Sequence, residues 1–274
     1  EITSQMDQQN MQTPTDKLIE FQDLIKSKSD LPQNIDKLLL LRFLSANEND
    51  TQKAEKMLRK NLKIRKKCPK LFQNRDVSSE IFERTRNVCQ VFPMPKPTPE
   101  GYEIVIFRLK DKNPRNFVVK NVLRSNVTML DAKFLSDQES VKGSFAVIDF
   151  TGFTFKHFLK TFTVLCGKFG KCYGKFVHQA APWKPVRFHA IHCPAILQRF
   201  ISIIGPSVRR NYMELANFHD DFEIVDEAIP KEYLPNEFGG SAGNIDDLHN
   251  DWIKVLESKR EYILNDDNWK LGYN

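Results

Sequence analysis

After a polar, Gln-rich opening from Glu1 to Pro14, the apolar positions of this chain follow two rhythms. Leu18, Phe21, Leu24 and Ile25 recur at three and four, which predicts a helix from Asp16. A break at residues 28–32 separates it from a second helix around Asp36 to Leu44 (DKLLLLRFL). A third begins near Thr51, read as its N-cap, with Ala54, Met57, Leu58 and Leu62 on one face. The other face carries Lys53, Lys56, Arg59, Lys60 and Lys63, and continues into Arg65, Lys66 and Lys67 before Pro69 stops it. Such a basic face either lies against anionic lipid or is simply solvated.

The rhythm changes after residues 93–101 (PMPKPTPEG), a Pro-rich linker or turn. Tyr102 to Leu109 reads as a strand, and helical patterning follows through Leu123 and Leu130. Ser144 to Asp149 is apolar at both parities and bounded by Gly143 and Gly152, the pattern of a strand buried on both faces. Phe155 to Phe176 reads as helix, Val186 to His192 as strand, and Pro194 opens an apolar helix through Leu197, Phe200, Ile201 and Ile204. Residues 234–240 (LPNEFGG) form a tight turn, Asn244 is an N-cap, and Leu248, Trp252, Val255, Leu256 and Ile263 stripe a closing helix. Alternating strand and helix implies crossover units and a parallel or mixed sheet. The boundaries so drawn are a polar tail at 1–15, a helical module at 16–92, a main domain at 93–243, and a closing helix and tail at 244–274.

Composition narrows the chemistry. The 21 Phe outnumber the 6 Tyr and 3 Trp together, which suits an apolar pocket better than a polar active site. A net charge of +6 favours anionic surfaces without choosing between phospholipid and nucleic acid, but no reader motif or regular aromatic-basic interleaving supports the latter. The five cysteines form no CxxC pair, and the chain opens without an apolar leader; this predicts reduced thiols and a cytoplasmic protein. No GxSxG, P-loop, HExxH or Rossmann fingerprint appears, so no catalytic residue, cofactor or metal ligand is assigned. His189 and His192, three apart on a strand, point to opposite faces, and Asp149 is expected to cap or hydrogen-bond locally.

Five landmarks in register then resemble one family. They are Asp36 with Leu39 to Leu44, Pro99 to Tyr102, Gly143 through Ile148-Asp149-Phe150-Thr151-Gly152, Leu234 to Gly240, and Ala242-Gly243. In this order they resemble the CRAL-TRIO lipid-binding family, in the branch of α-tocopherol transfer protein, cellular retinaldehyde-binding protein, clavesins and insect relatives. The resemblance implies an α/β fold: an N-terminal helical module packed on a mostly parallel sheet floor, with a mobile helical gate over an apolar cavity. It places the gate between Pro194 and about Leu215. The implied ligand-binding residues are Ala146, Ile148, Phe155, Phe188, Leu197, Phe200, Ile201, Ile204 and Val208. Lys184 falls where a phosphoinositide contact occurs in the family, and Arg187, Arg209 and Arg210 are further candidates for phosphoinositide or membrane; Asn211 and Leu215 stand where basic residues are found in relatives. Residues 181–184 (APWK) lack the acid of the yeast-type phosphatidylinositol-exchange element, which favours an isoprenoid-like cargo such as tocopherol, a retinoid or a carotenoid. The function implied is non-enzymatic uptake and intermembrane transfer of one hydrophobic lipid, with a transient membrane surface as partner. The alternative is a membrane-associated, lipid-sensing interaction module.

Overall fold

The computed structural model describes residues 14–136, 141–204, 215–220 and 229–272. Its N-terminal third is helical: α1 (Pro14–Lys26), α2 (Lys37–Ala46), α3 (Thr51–Lys67), the single turn α4 (Pro69–Phe72) and α5 (Glu80–Val88). The caps follow from the sequence with one shift. Asp36 Oδ1 accepts from Leu38 N–H at the head of α2. On α3 the cap is Asp50, whose carboxylate accepts from Lys53 N–H at 2.9 Å, so Thr51 is the first helical residue rather than the cap.

Five strands form one sheet in the order β1 (Cys89–Pro93), β2 (Tyr102–Leu109), β3 (Gly143–Asp149), β4 (Pro185–Ile191) and β5 (Ala216–His219). β1 runs antiparallel to β2, and the remaining neighbours are parallel. The Pro-rich stretch is thus the connection between β1 and β2. α6 (Val119–Phe134) crosses from β2 to β3, and α7 (Phe155–Cys166) with α8 (Lys168–Gln179) crosses from β3 to β4. The span expected as one helix from Phe155 is broken at Gly167, whose backbone is extended. Close packing follows the break: a Cβ on Gly170 would stand 2.2 Å from Leu165 Cα. α9 (Ala195–Ile204) follows β4, and α10 (Ile245–Ser258) and α11 (Arg260–Leu264) close the chain. Asn244 caps α10 as expected, accepting from Asp247 N–H at 2.8 Å.

A continuous apolar core runs from Phe21 on α1, through Phe92, Ile104 and Phe145 in the sheet, to Trp252 and Trp269 near the C-terminus. The helical module and the sheet are therefore one packed body. A buried ionic knot reinforces the join: Arg65 of α3 and Arg75 both donate to the Asp131 carboxylate of α6. Burial would raise the pKa of Asp131, but the two guanidinium charges outweigh it and hold the carboxyl below its ordinary range.

Cys68, at the end of α3, is disulfide-bonded to Cys172 on α8. This corrects the expectation of reduced thiols for that pair, while Cys89, Cys166 and Cys193 are free. Spacing along the chain was no guide, because the two cysteines lie 104 residues apart and meet only through the fold. With that bond, cysteine usage no longer argues for the cytosol.

Candidate functional site

Strand register decides what the sheet presents. Ala146 pairs with Phe188 and Ile148 with Ala190, so these four share one face, continued on β5 by Ala216 and Phe218. Phe145, Val147, His189 and Ile191 occupy the other face. Ala146 is fully buried, whereas Ile148 and Phe188 are half-buried. At the strand ends, Ala190, Cys193 and Leu197 form a small separate cluster, with Phe150, Phe153, Phe158 and Phe218 packed against it. It joins the sheet face to α7 and α9.

α7 is apolar where a surface helix is normally polar. His157 is buried and Val164 half-buried on its inner side. On the outer side Phe155, Leu159, Phe162 and Leu165, at spacings of four, three and three, are 50, 52, 37 and 41% exposed. Phe158 stacks between Phe155 and Phe162 with ring centroids 5.9 Å from each. Ile196 on α9 is 54% exposed. Of the residues expected to meet ligand, Phe155 belongs to this α7 face, Leu197 is buried in the small cluster, and Ala146, Ile148 and Phe188 line the strand face. Phe200, Ile201 and Ile204 continue α9, but their side chains lie outside the described residues, as do Val208, Arg209 and Arg210. Reasoning from the sequence missed Leu159, Phe162 and Leu165, although their helical spacing was on view.

At the opposite ends of the strands a cleft of about 610 Å³ opens among Arg42, Glu103, Lys133, Lys142, Trp183 and Lys184. Its floor is a buried network. Lys133 is ion-paired with Glu103, Ser144 Oγ donates to Glu103, and Trp183 Nε1 donates to Ser144 Oγ at 2.7 Å. Burial lowers the pKa of Lys133 and of Arg42, with the Glu103 charge opposing in each case. Lys184 stands exposed at the rim; Arg187 is exposed on β4, outside the cleft lining. Arg42 was visible within the Leu-Leu-Arg-Phe-Leu landmark, but nothing local marked Lys133 or Lys142.

The titratable groups near the small apolar cluster have local partners. Asp149 Oδ1 accepts from Thr151 N–H at 2.9 Å, the role expected of it, with Gly152 taking φ +79° to complete the turn. His189 Nδ1 lies 3.0 Å from His219 Nε2. Burial pushes the Cys193 thiol up to about 11, which keeps it protonated and a poor nucleophile near neutral pH. Among the described residues no group of three or more His, Cys, Asp or Glu is placed to hold a metal, and no helix is long and apolar enough to cross a membrane.

The α/β fold thus presents an apolar strand face, a partly exposed aromatic helix and a basic cleft at the far strand ends. Comparison with known proteins gives this arrangement a family. The model of the CRAL/TRIO domain matches residues 87–240, and that of the Pinta-like, UBA domain matches residues 10–82. The chain belongs to the CRAL-TRIO family, whose members bind and transfer lipids. It is 24% identical over 236 residues to the alpha-tocopherol transfer protein-like protein of Mus musculus, covering 84% of this chain and 65% of that one. Against the Homo sapiens protein of the same description it is 24% identical over 242 residues, covering 86% and 67%. The chain thus spans about two thirds of the length of these relatives. In fold it is similar to the crystal structure of Sfh5, with a TM-score of 0.50 at 12% identity over 92% of this chain and 99% of that one.

Proposed function

We propose that this protein takes up one small hydrophobic lipid of isoprenoid type (tocopherol, a retinoid or a carotenoid) and transfers it between membranes without chemical change. The observation that carries this reading is the partly exposed apolar face of α7, joined through Phe158 and Ala190 to the strand face of Ile148 and Phe188. Ala146, Ile148, Phe155, Phe188 and Leu197 are the proposed pocket walls, continued by Phe200, Ile201 and Ile204 of α9 and by Val208. Burying roughly 400 Å² of ligand surface is worth about 10 kcal/mol at ~25 cal/mol per Å², before ordering costs. The same apolar surface suits release at a bilayer, a transient association of a protein that otherwise stays in water. The test is mass spectrometry of an organic extract from protein purified out of a host supplied with mixed lipids. One enriched, unmodified apolar species near one-to-one stoichiometry is expected; an extract matching that of an unrelated protein refutes the reading.

A second reading rests on the basic cleft. Arg42, Lys142 and Lys184 around Trp183 suit a phosphorylated headgroup, in keeping with a phosphoinositide-responsive module. Lys184→Ala is expected to abolish preferential binding to phosphoinositide-containing vesicles. No preference in the parent protein removes this reading and leaves lipid transfer standing.

A further inference from the structure

Charge is unevenly distributed along the chain. Residues 56–75 carry nine Lys or Arg and no acid, and residues 150–213 carry ten and again no acid. α3 spans much of the first stretch, and α8 falls within the second.

On α3, Lys56, Lys60, Lys63 and Lys67 are spaced four, three and four apart, so they stack in one row about 16 Å long. All four are exposed, and Leu58, Leu62 and Arg65 are buried on the opposite side. On α8, Lys168, Lys171 and Lys175 form a second exposed row, opposite buried Val177 and half-buried Tyr173. The helices lie side by side and antiparallel. Asn61 Nδ2 donates to the Ala180 carbonyl at 3.0 Å, and seven residues further along the chain Cys68 is bonded to Cys172. Both rest on α6: α3 through Arg65 on Asp131, α8 through Tyr173 OH, which donates to Asn126 Oδ1 at 2.6 Å. On each helix the lysine row lies on the face opposite the residue that reaches α6, so both rows point away from α6. Lys53, at the head of the first row, is paired with Asp50; the other seven lysines make no ion pair among the described residues.

Seven like charges fixed on one surface repel one another, and an anionic partner relieves that repulsion. All seven are lysines, point charges on flexible stems that suit a diffuse layer of headgroups better than bidentate recognition of one group. Just before α8 in the chain, across Gly167, comes α7 with its partly exposed apolar residues. We infer that the paired lysine rows of α3 and α8, clasped by the Cys68–Cys172 bond, are an electrostatic docking surface for an anionic phospholipid bilayer. The choice of a bilayer over an acidic protein rests on the lipid-transfer reading. The surface itself is separate from the Lys184 cleft.

The experiment is vesicle sedimentation of the full, oxidised chain, using phosphatidylcholine vesicles with and without phosphatidylserine and free of phosphoinositide. The parent protein should partition onto the serine-lipid vesicles, less so as salt is raised. At ~1 kcal/mol per basic residue near an anionic surface, the triple variant Lys168→Gln, Lys171→Gln, Lys175→Gln should partition roughly a hundredfold more weakly. The α3 variant Lys56→Gln, Lys60→Gln, Lys63→Gln should show a similar loss, and both should keep the parent's melting temperature. Equal partition of the parent onto the two kinds of vesicle overturns the inference. So does a triple variant that matches the parent on vesicles, or one that loses only its affinity for an acidic polypeptide. Docking is read without any cargo, so the surface is tested even in a protein that carries no lipid.

Discussion

His249 is buried on α10 against Phe92, their ring centroids 5.6 Å apart, with Gln90 Nε2 3.3 Å from its Nδ1. Burial, reinforced by the charges of Lys110 and Arg86 against the opposing Asp246, pushes its pKa down to about 4. An unfolded histidine takes its proton near pH 6.5, so between those values the unfolded chain binds more protons than the folded one. This contribution to stability is complete above about pH 6.5 and falls away toward pH 4, by up to about 3 kcal/mol. Urea midpoints at pH 7.5 and 4.5 measure it, and His249→Gln should show a shallower pH dependence whatever its own offset. A variant as pH-sensitive as the parent would rule His249 out. At this scale the sequence spoke through local chemistry. Asp36, Asp149 and Asn244 do what their residue types predict because their partners are two or three residues away. Lys133 and Glu103 were silent because their partners, each other and Ser144, lie thirty or more residues from Glu103.

At the scale of elements, long periodic segments were legible and short ones were not. α1, α2, α3 and α10 and strands β2, β3 and β4 stand close to where apolar periodicity put them. β1 and β5, of five and four residues, are too short to show a period and owe their conformation to the strand beside them. The break at Gly167 was hidden because the apolar rhythm runs through it. The bridge between α3 and α8 was illegible for a different reason: pairing is a property of the fold, not of spacing. Linking residues 104 apart, it should be worth about 2–4 kcal/mol, or roughly 5–15 °C in melting temperature. Calorimetry with and without reductant gives that difference, and Cys172→Ser should melt at the reduced value and ignore reductant. If alkylation of the denatured, unreduced protein labels all five cysteines, the bond is absent from the molecule in solution.

Across the whole molecule, the family was legible because its landmarks are short, ordered and spread over both halves of the chain. The two lysine rows were only half visible: one was noticed as a basic helix face, but its partner lies a hundred residues away and joins it through packing on α6. The pocket walls were legible as a strand and a helix, not as a surface, since which apolar side stays uncovered is settled by everything packed on the other side. The bridge between these distant parts also has a history in time. A ribosome adding 5–20 residues per second delivers Cys172 about 5–20 s after Cys68. Cys89 arrives much sooner, and Cys166 slightly sooner, so each competes for the waiting thiol. In the folded protein Cys89 is half-buried, and desolvation pushes its thiol up to about 12, which leaves almost no thiolate to react. Closure of β1 against β2 before α8 is made would withdraw Cys89 from that competition, and a lesion that delays that closure should surface as mispaired chains during biosynthesis.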